Sequence, residues 1–121
     1  MKELVEKYLK AAKQKNIHAL DDIFSEDAVY IESTGATYNG LEQIKKWFEQ
    51  VTAGGEVTAW DVKRIFDMGE TGAAEWYFEY QITGADMFSF DGISLVETED
   101  GKIKKWSEFA QTKDKTYPFE G

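Results

Sequence analysis

Ala73-Ala74-Glu75-Trp76-Tyr77-Phe78-Glu79-Tyr80-Gln81-Ile82-Thr83, residues 73–83, alternates with a period of two. Ala74, Trp76, Phe78, Tyr80 and Ile82 share one face of a strand, and Glu75, Tyr77, Glu79 and Gln81 share the other. The first face is aromatic and must be covered; where the cover is incomplete, a pocket remains. Outward from this strand the same pattern continues at about 56–67, 87–98 and 102–113. The breaks are Met68-Gly69-Glu70-Thr71-Gly72, Gly84-Ala85-Asp86 and Glu99-Asp100-Gly101. Connections this short make hairpins, so the second half of the chain reads as an antiparallel meander.

The first half has the helical period instead. Leu4, Val5, Tyr8, Leu9 and Ala12 form one stripe of a helix over 2–15, with Lys and Glu opposite. Asn16 can end it and cap a short second helix marked by Ile17, Leu20, Ile23 and Phe24. Ser25-Glu26-Asp27 reads as a polar turn, Ala28 to Glu32 as a short strand and Ser33 to Asn39 as a loop. Asn39-Gly40 opens a third helix with Leu41, Ile44, Trp47, Phe48 and Val51 as its stripe, ended at Gly54-Gly55. Helices followed by strands give an α+β layout with the helices on one side of the sheet. The tail, Thr116 to Gly121, holds the one proline, Pro118, and is expected along an edge or on a partner.

The length of 121 residues fits a single domain, 1–121, with a proper core. Eight Phe, six Tyr and four Trp must bury much of their area in it. With no Cys there is no disulfide framework, thiol nucleophile or thiolate metal site, which fits a reducing, cytoplasmic location. No N-terminal run resembles a signal peptide and no stretch is long and apolar enough to span a bilayer. The net charge is −9, with Arg64 the one arginine and the lysines interleaved with acids, so nucleic acid and membrane are not expected partners. His18 reads as a helix-surface residue. One His, no Cys, and no phosphate-binding glycine loop or Gly-x-Ser-x-Gly elbow leave no metal or other cofactor expected.

Three segments together resemble the SnoaL-like branch of the nuclear-transport-factor-like, ketosteroid-isomerase-like superfamily. They are Val5 to Ala12 with Ile23 to Tyr30; Gly40-Leu41-Glu42-Gln43-Ile44 with Trp47-Phe48; and Phe90-Asp91-Gly92-Ile93-Ser94 with Asp100-Gly101-Lys102-Ile103 and Trp106-Ser107-Glu108-Phe109. The resemblance implies a cone-shaped barrel: three N-terminal helices on a strongly curved, mainly antiparallel sheet whose open end admits an apolar ligand. It also implies pairing into a homodimer through the outer face of the sheet. Fold does not fix function, since the superfamily holds enzymes and pure binding modules.

The same resemblance marks candidate residues. Tyr8 stands where ketosteroid isomerases place an oxyanion-hole tyrosine, where a phenol can donate to a developing enolate; a core tyrosine is the other reading. Glu32 matches the position of their general-base aspartate, where an apolar pocket would raise a carboxylate pKa toward working pH; it can equally face water at the rim. Ile93 occupies the place of their second oxyanion donor, and Asp91, two residues earlier, is the available substitute unless Asp91-Gly92 forms a bulge. Glu108 after Trp106 resembles the water-activating acid of limonene-epoxide-hydrolase-like proteins, although the matching strand lacks the Arg those enzymes set between two acids. Gln111 stands where many SnoaL-like proteins carry an aspartate. Trp60, Trp76, Phe78, Tyr80 and Trp106 are expected to line the cavity and to suit a small apolar or aromatic ligand. Two functions fit: a cofactor-independent acid–base enzyme (isomerase, cyclase, dehydratase or epoxide hydrolase), or a non-catalytic ligand-binding or dimerising accessory protein.

Overall fold

The computed structural model describes residues 1–119. Helix α1 (Lys2–Gln14) buries Val5, Tyr8, Leu9, Ala11 and Ala12, the predicted stripe plus one alanine. Its end is set by Lys15 in the left-handed region (φ 56°), whose N–H and that of Asn16 bond back to the Ala12 and Ala11 carbonyls. The Asn16 side chain makes no capping bond. A single 3₁₀ turn (Ile17–Ala19) leads into α2 (Leu20–Ile23), so the second helix is shorter than its apolar pattern implied. Strand β1 (Phe24–Ile31) takes over at Phe24 and absorbs the Ser25-Glu26-Asp27 stretch expected as a turn. That stretch stays extended while its pairing slips, because Phe24 pairs with Ile103 and the next paired residue is Val29, with Lys105.

Strand β2 (Thr37–Asn39) lies inside the segment expected as a loop. Helix α3 (Leu41–Gly54) follows and packs on β1 and β2. The meander is as expected: β3 (Gly55–Asp67), β4 (Thr71–Ile82), β5 (Met87–Glu99) and β6 (Lys102–Gln111), each pair antiparallel. After Gln111 the tail has no regular structure through Phe119 and is exposed; residues 120 and 121 of the predicted tail lie outside the described residues.

The sheet order is β2-β1-β6-β5-β4-β3, with β1 parallel to β6. This corrects the expected barrel. The sheet is open and mixed rather than a closed, strongly curved cone: β2 and β3 are its two edges, and they do not pair with each other. Closure would need a second partner for each edge strand. Instead β2 has only three residues, and α1 and α3 rest against β3. The parallel β1–β6 pair needs a long crossover, which the intervening helix and meander supply.

The inner face of the sheet carries the aromatics in register. Trp60, Phe78 and Phe90 form one cross-strand row with ring centroids 5.1 and 5.2 Å apart, and Tyr80 lies opposite Phe88. Gly92 faces Trp76, and a Cβ there would come within 2.4 Å of the indole. Asp91-Gly92 is therefore a regular stretch of strand without a bulge, its glycine making room for a ring. The irregularity is elsewhere: Glu97 pairs with Lys105 and Thr98 with Ile103, leaving Lys104 out of the ladder. That extra residue restores the parity, so Ile103, Trp106 and Glu108 all turn inward.

Candidate active site

The helices and the loop after β1 do not fully cover the inner face. A cavity of about 540 Å³ remains between α1, α3 and the sheet. Trp76, Phe78 and Tyr80 line it, on the face that the alternation of 73–83 marked as aromatic, and Trp60 joins them from β3. Trp47, Phe88 and Phe90 add to the apolar wall. The rim side is polar, with Ser33, Thr34, Ser89 and Thr112 exposed. The Trp60 indole N–H is buried and has no hydrogen-bond partner among the described residues, whereas that of Trp76 donates to Ser94 at 2.9 Å.

Trp106 is not on the wall. It is fully buried behind it, stacked near Tyr30 and edge-on to Tyr8, and its indole N–H donates to Glu108 Oε2 at 2.9 Å. Glu108 is itself 9 % exposed and lines the cavity. Tyr30 donates to the same Oε2 at 2.6 Å, and Tyr8 donates to the Tyr30 oxygen at 2.7 Å. The result is a buried relay, Tyr8 to Tyr30 to Glu108, ending on one carboxylate oxygen. No cation pairs with Glu108 among the described residues.

The electrostatics follow from that burial. Loss of solvent pushes the Glu108 carboxyl up, the Tyr30 and Trp106 hydrogen bonds pull it down, and the nearby Glu32 charge pushes it up again, leaving it at about 6. Burial, reinforced by the Glu108 charge, holds Tyr30 and Tyr8 well above the ordinary phenol range. Both phenols therefore stay protonated at neutral pH, and Glu108 is the one carboxyl in the relay.

Glu32 also reaches the cavity but sits differently. It is half-buried at the rim and accepts from Tyr38 at 3.0 Å and Thr34 at 3.2 Å through Oε1. Burial and the Glu32 bond raise the Tyr38 phenol to about 12. Tyr8, Glu32 and Glu108 thus meet at one cavity. Asp91 does not. It is on the outer face, 2.6 Å from Lys63 Nζ and 3.2 Å from Lys115 Nζ, and the Lys63 bond holds its carboxyl below the usual range. Ile93 shares that outer face, opposite Glu75 and Phe109, so neither residue can supply a second oxyanion donor. Arg64 is bound to Glu75 and lies over Phe66, away from the cavity. His18 is exposed on the 3₁₀ turn. No group of three His, Cys, Asp or Glu side chains converges among the described residues.

Tyr30 is the member of this relay that the sequence reading does not single out. Its signal was available in the alternation Ala28, Tyr30, Glu32, which puts Tyr30 on the face of a residue already singled out.

A SnoaL-like domain model matches residues 5–106. The chain belongs to the SnoaL-like family. Solved structures agree on the fold. A protein of ketosteroid-isomerase-like fold from Catenulispora acidiphila, in complex with trimethylamine, is 26% identical, with TM-score 0.80 over 88% of this chain and 84% of that one. An LEH-like epoxide hydrolase of M. tuberculosis is 19% identical, with TM-score 0.81 over 90% of this chain and 76% of that one. An NTF2-like protein from Burkholderia thailandensis is 15% identical, with TM-score 0.75 over 91% and 89% of the two chains. No curated protein matches the chain in sequence. This SnoaL-like protein therefore has the family's small-molecule pocket, with no helix among the described residues long and apolar enough to cross a membrane.

Proposed function

We propose that this SnoaL-like protein is a cofactor-independent acid–base enzyme in which Glu108 moves a proton to and from a small, largely apolar ligand. One observation carries the reading: a carboxyl buried without a counter-cation in an aromatic cavity, with its pKa raised to about 6. A carboxylate costs several kcal/mol to bury (about 2–7 even for a neutral polar group without partners), so such a placement is retained where the proton has a use. A pKa near the working pH is what a general base requires. Tyr8 would steady an oxyanion by turning its O–H from the Tyr30 oxygen toward the ligand, since a hydroxyl hydrogen rotates to suit its acceptor. Glu32 would hold charge at the rim. The absence of an Arg from the lining favours proton transfer at carbon, as in isomerisation, cyclisation or dehydration, over epoxide opening.

The finer assignments belong to the same proposal. Residues 1–121 form one domain that works in the cytoplasm, which the absence of cysteine supports. Two copies pair through the outer sheet face, where Leu95 and Phe109 are about half exposed. That the Catenulispora acidiphila relative takes trimethylamine supports a small ligand.

The test is a panel of small carbonyl, hydroxy and epoxide compounds incubated in D₂O and followed by NMR for C–H exchange and product. A compound that turns over should lose that turnover by about 10²–10⁴-fold in Glu108→Gln, with the fold unchanged. Equal turnover in the variant removes Glu108 from the mechanism. Binding without exchange across the panel favours the ligand-carrier alternative.

A further inference from the structure

We infer that the cavity selects a small organic cation, a tertiary or quaternary ammonium group, in preference to a neutral or anionic compound of the same shape. The inference rests on the pocket reading above and names the class of ligand. Its ground is the composition of the lining. The charged side chains on the wall are Glu32 and Glu108, and among the described residues no Lys, Arg or His lines it.

Five basic side chains are held by acids outside the cavity: Lys63 and Lys115 by Asp91, Lys15 by Glu56, Lys45 by Asp21 and Arg64 by Glu75. Glu108 thus faces the cavity with hydrogen-bond donors but no positive charge. Its bonds from Tyr30 and Trp106 both end on Oε2, and the Ser33 backbone adds a further neutral donor to the carboxylate, so none of its partners carries a charge.

The rest of the wall suits the same guest. Trp47, Trp60, Phe78 and Phe90 line the cavity, and their rings are not coplanar: Trp60 stands at 78° to Phe78, and Phe78 at 38° to Phe90. Aromatic faces carry negative potential and attract an ammonium by up to about 2 kcal/mol when it is desolvated. An alkylated ammonium is apolar on its surface and positive within, so it satisfies the apolar wall and the unpaired carboxylates together. An anionic ligand would meet two acids in a low-dielectric space and is disfavoured.

The experiment uses choline and its uncharged isostere 3,3-dimethyl-1-butanol, which differ in shape very little and in charge by one. Binding to the full-length protein is read by calorimetry and by quenching of tryptophan fluorescence at neutral pH. Choline should bind at least about tenfold tighter, and Glu108→Gln and Glu32→Gln, each checked for native near-ultraviolet dichroism, should each reduce that ratio several-fold. Equal binding of the two, tighter binding of the neutral alcohol, or no binding of either overturns the inference. The outcomes separate from the acid–base reading: loss of turnover in Glu108→Gln with no preference for choline would sink the cation alone. A retained preference with turnover untouched by Glu108→Gln would sink the base alone.

Discussion

Glu108 and Asp91 sit on adjacent antiparallel strands, close in the fold and opposite in everything that matters to chemistry. Asp91 points out of the sheet, holds two lysines, and has its carboxyl pulled below the usual range. Glu108 points in, holds a phenol and an indole, and is pushed up to about 6. The outer acid is stabilised as an ion by solvent and partners. The inner one is an ion only against the cost of its surroundings. A carboxylate becomes a proton shuttle by which face of the strand it occupies, and strand parity decides that face.

The comparison can be broken most strongly at Tyr30. Tyr30→Phe removes one of the two donors on Glu108 Oε2 and the acceptor of the Tyr8 hydroxyl. It should cost about 1–3 kcal/mol of stability in chemical denaturation, as expected for a buried unsatisfied group. The Glu108 midpoint, followed by carboxyl-carbon NMR, should rise further above 6, because the lost bond favoured the ionised form. An unmoved midpoint would mean that the relay does not set the acidity of the inner site.

A second effect is on pH dependence. Folded Glu108 keeps its proton up to about pH 6, whereas the ordinary value is 4.5. Between those values the folded state binds more protons than the unfolded one, so stability falls as pH rises through that window. The fall amounts to about 2 kcal/mol. Glu108→Gln cannot ionise and still offers an acceptor to Tyr30. It should therefore exceed the wild type in stability by about 1–2 kcal/mol at pH 7.5 and match it near pH 4. Parallel pH–stability curves would show that burial imposes no such cost.

The smallest effect is expected on the outer face. Asp91→Asn should leave both the Glu108 midpoint and any turnover unchanged, since the sheet separates the two acids. A shift in either would show that the two faces are electrically coupled and that the contrast is one of degree.

The meander was legible in residues 55–111 because a half-covered strand writes its burial into every second residue, and Trp60, Trp76, Phe78 and Tyr80 fell where that pattern put them. The amphipathic stripes of α1 and α3 were legible for the same reason at the helical period. Strand β2 was not, having three residues in a polar stretch whose pairing with β1 is long-range information. The site was half legible. Position and family likeness point to Tyr8, Glu32 and Glu108, whereas the bond from Tyr30 to Glu108 and the place of Trp106 behind the wall depend on packing between distant strands.

By itself, the sequence determined the helices α1 and α3 followed by the four-stranded meander, the aromatic inner face and the acidic, cysteine-free character of the chain, because local periodicity and composition are properties of neighbouring residues. The tertiary structure alone decided that the sheet stays open, that β1 lies parallel to β6, and that Lys104 slips out of the ladder to turn Trp106 and Glu108 inward. It alone decided that Tyr8, Tyr30 and Glu108, far apart in the chain, share one chain of hydrogen bonds. Pairing and register depend on contacts between distant segments, and a carboxyl's acidity depends on what surrounds it in space.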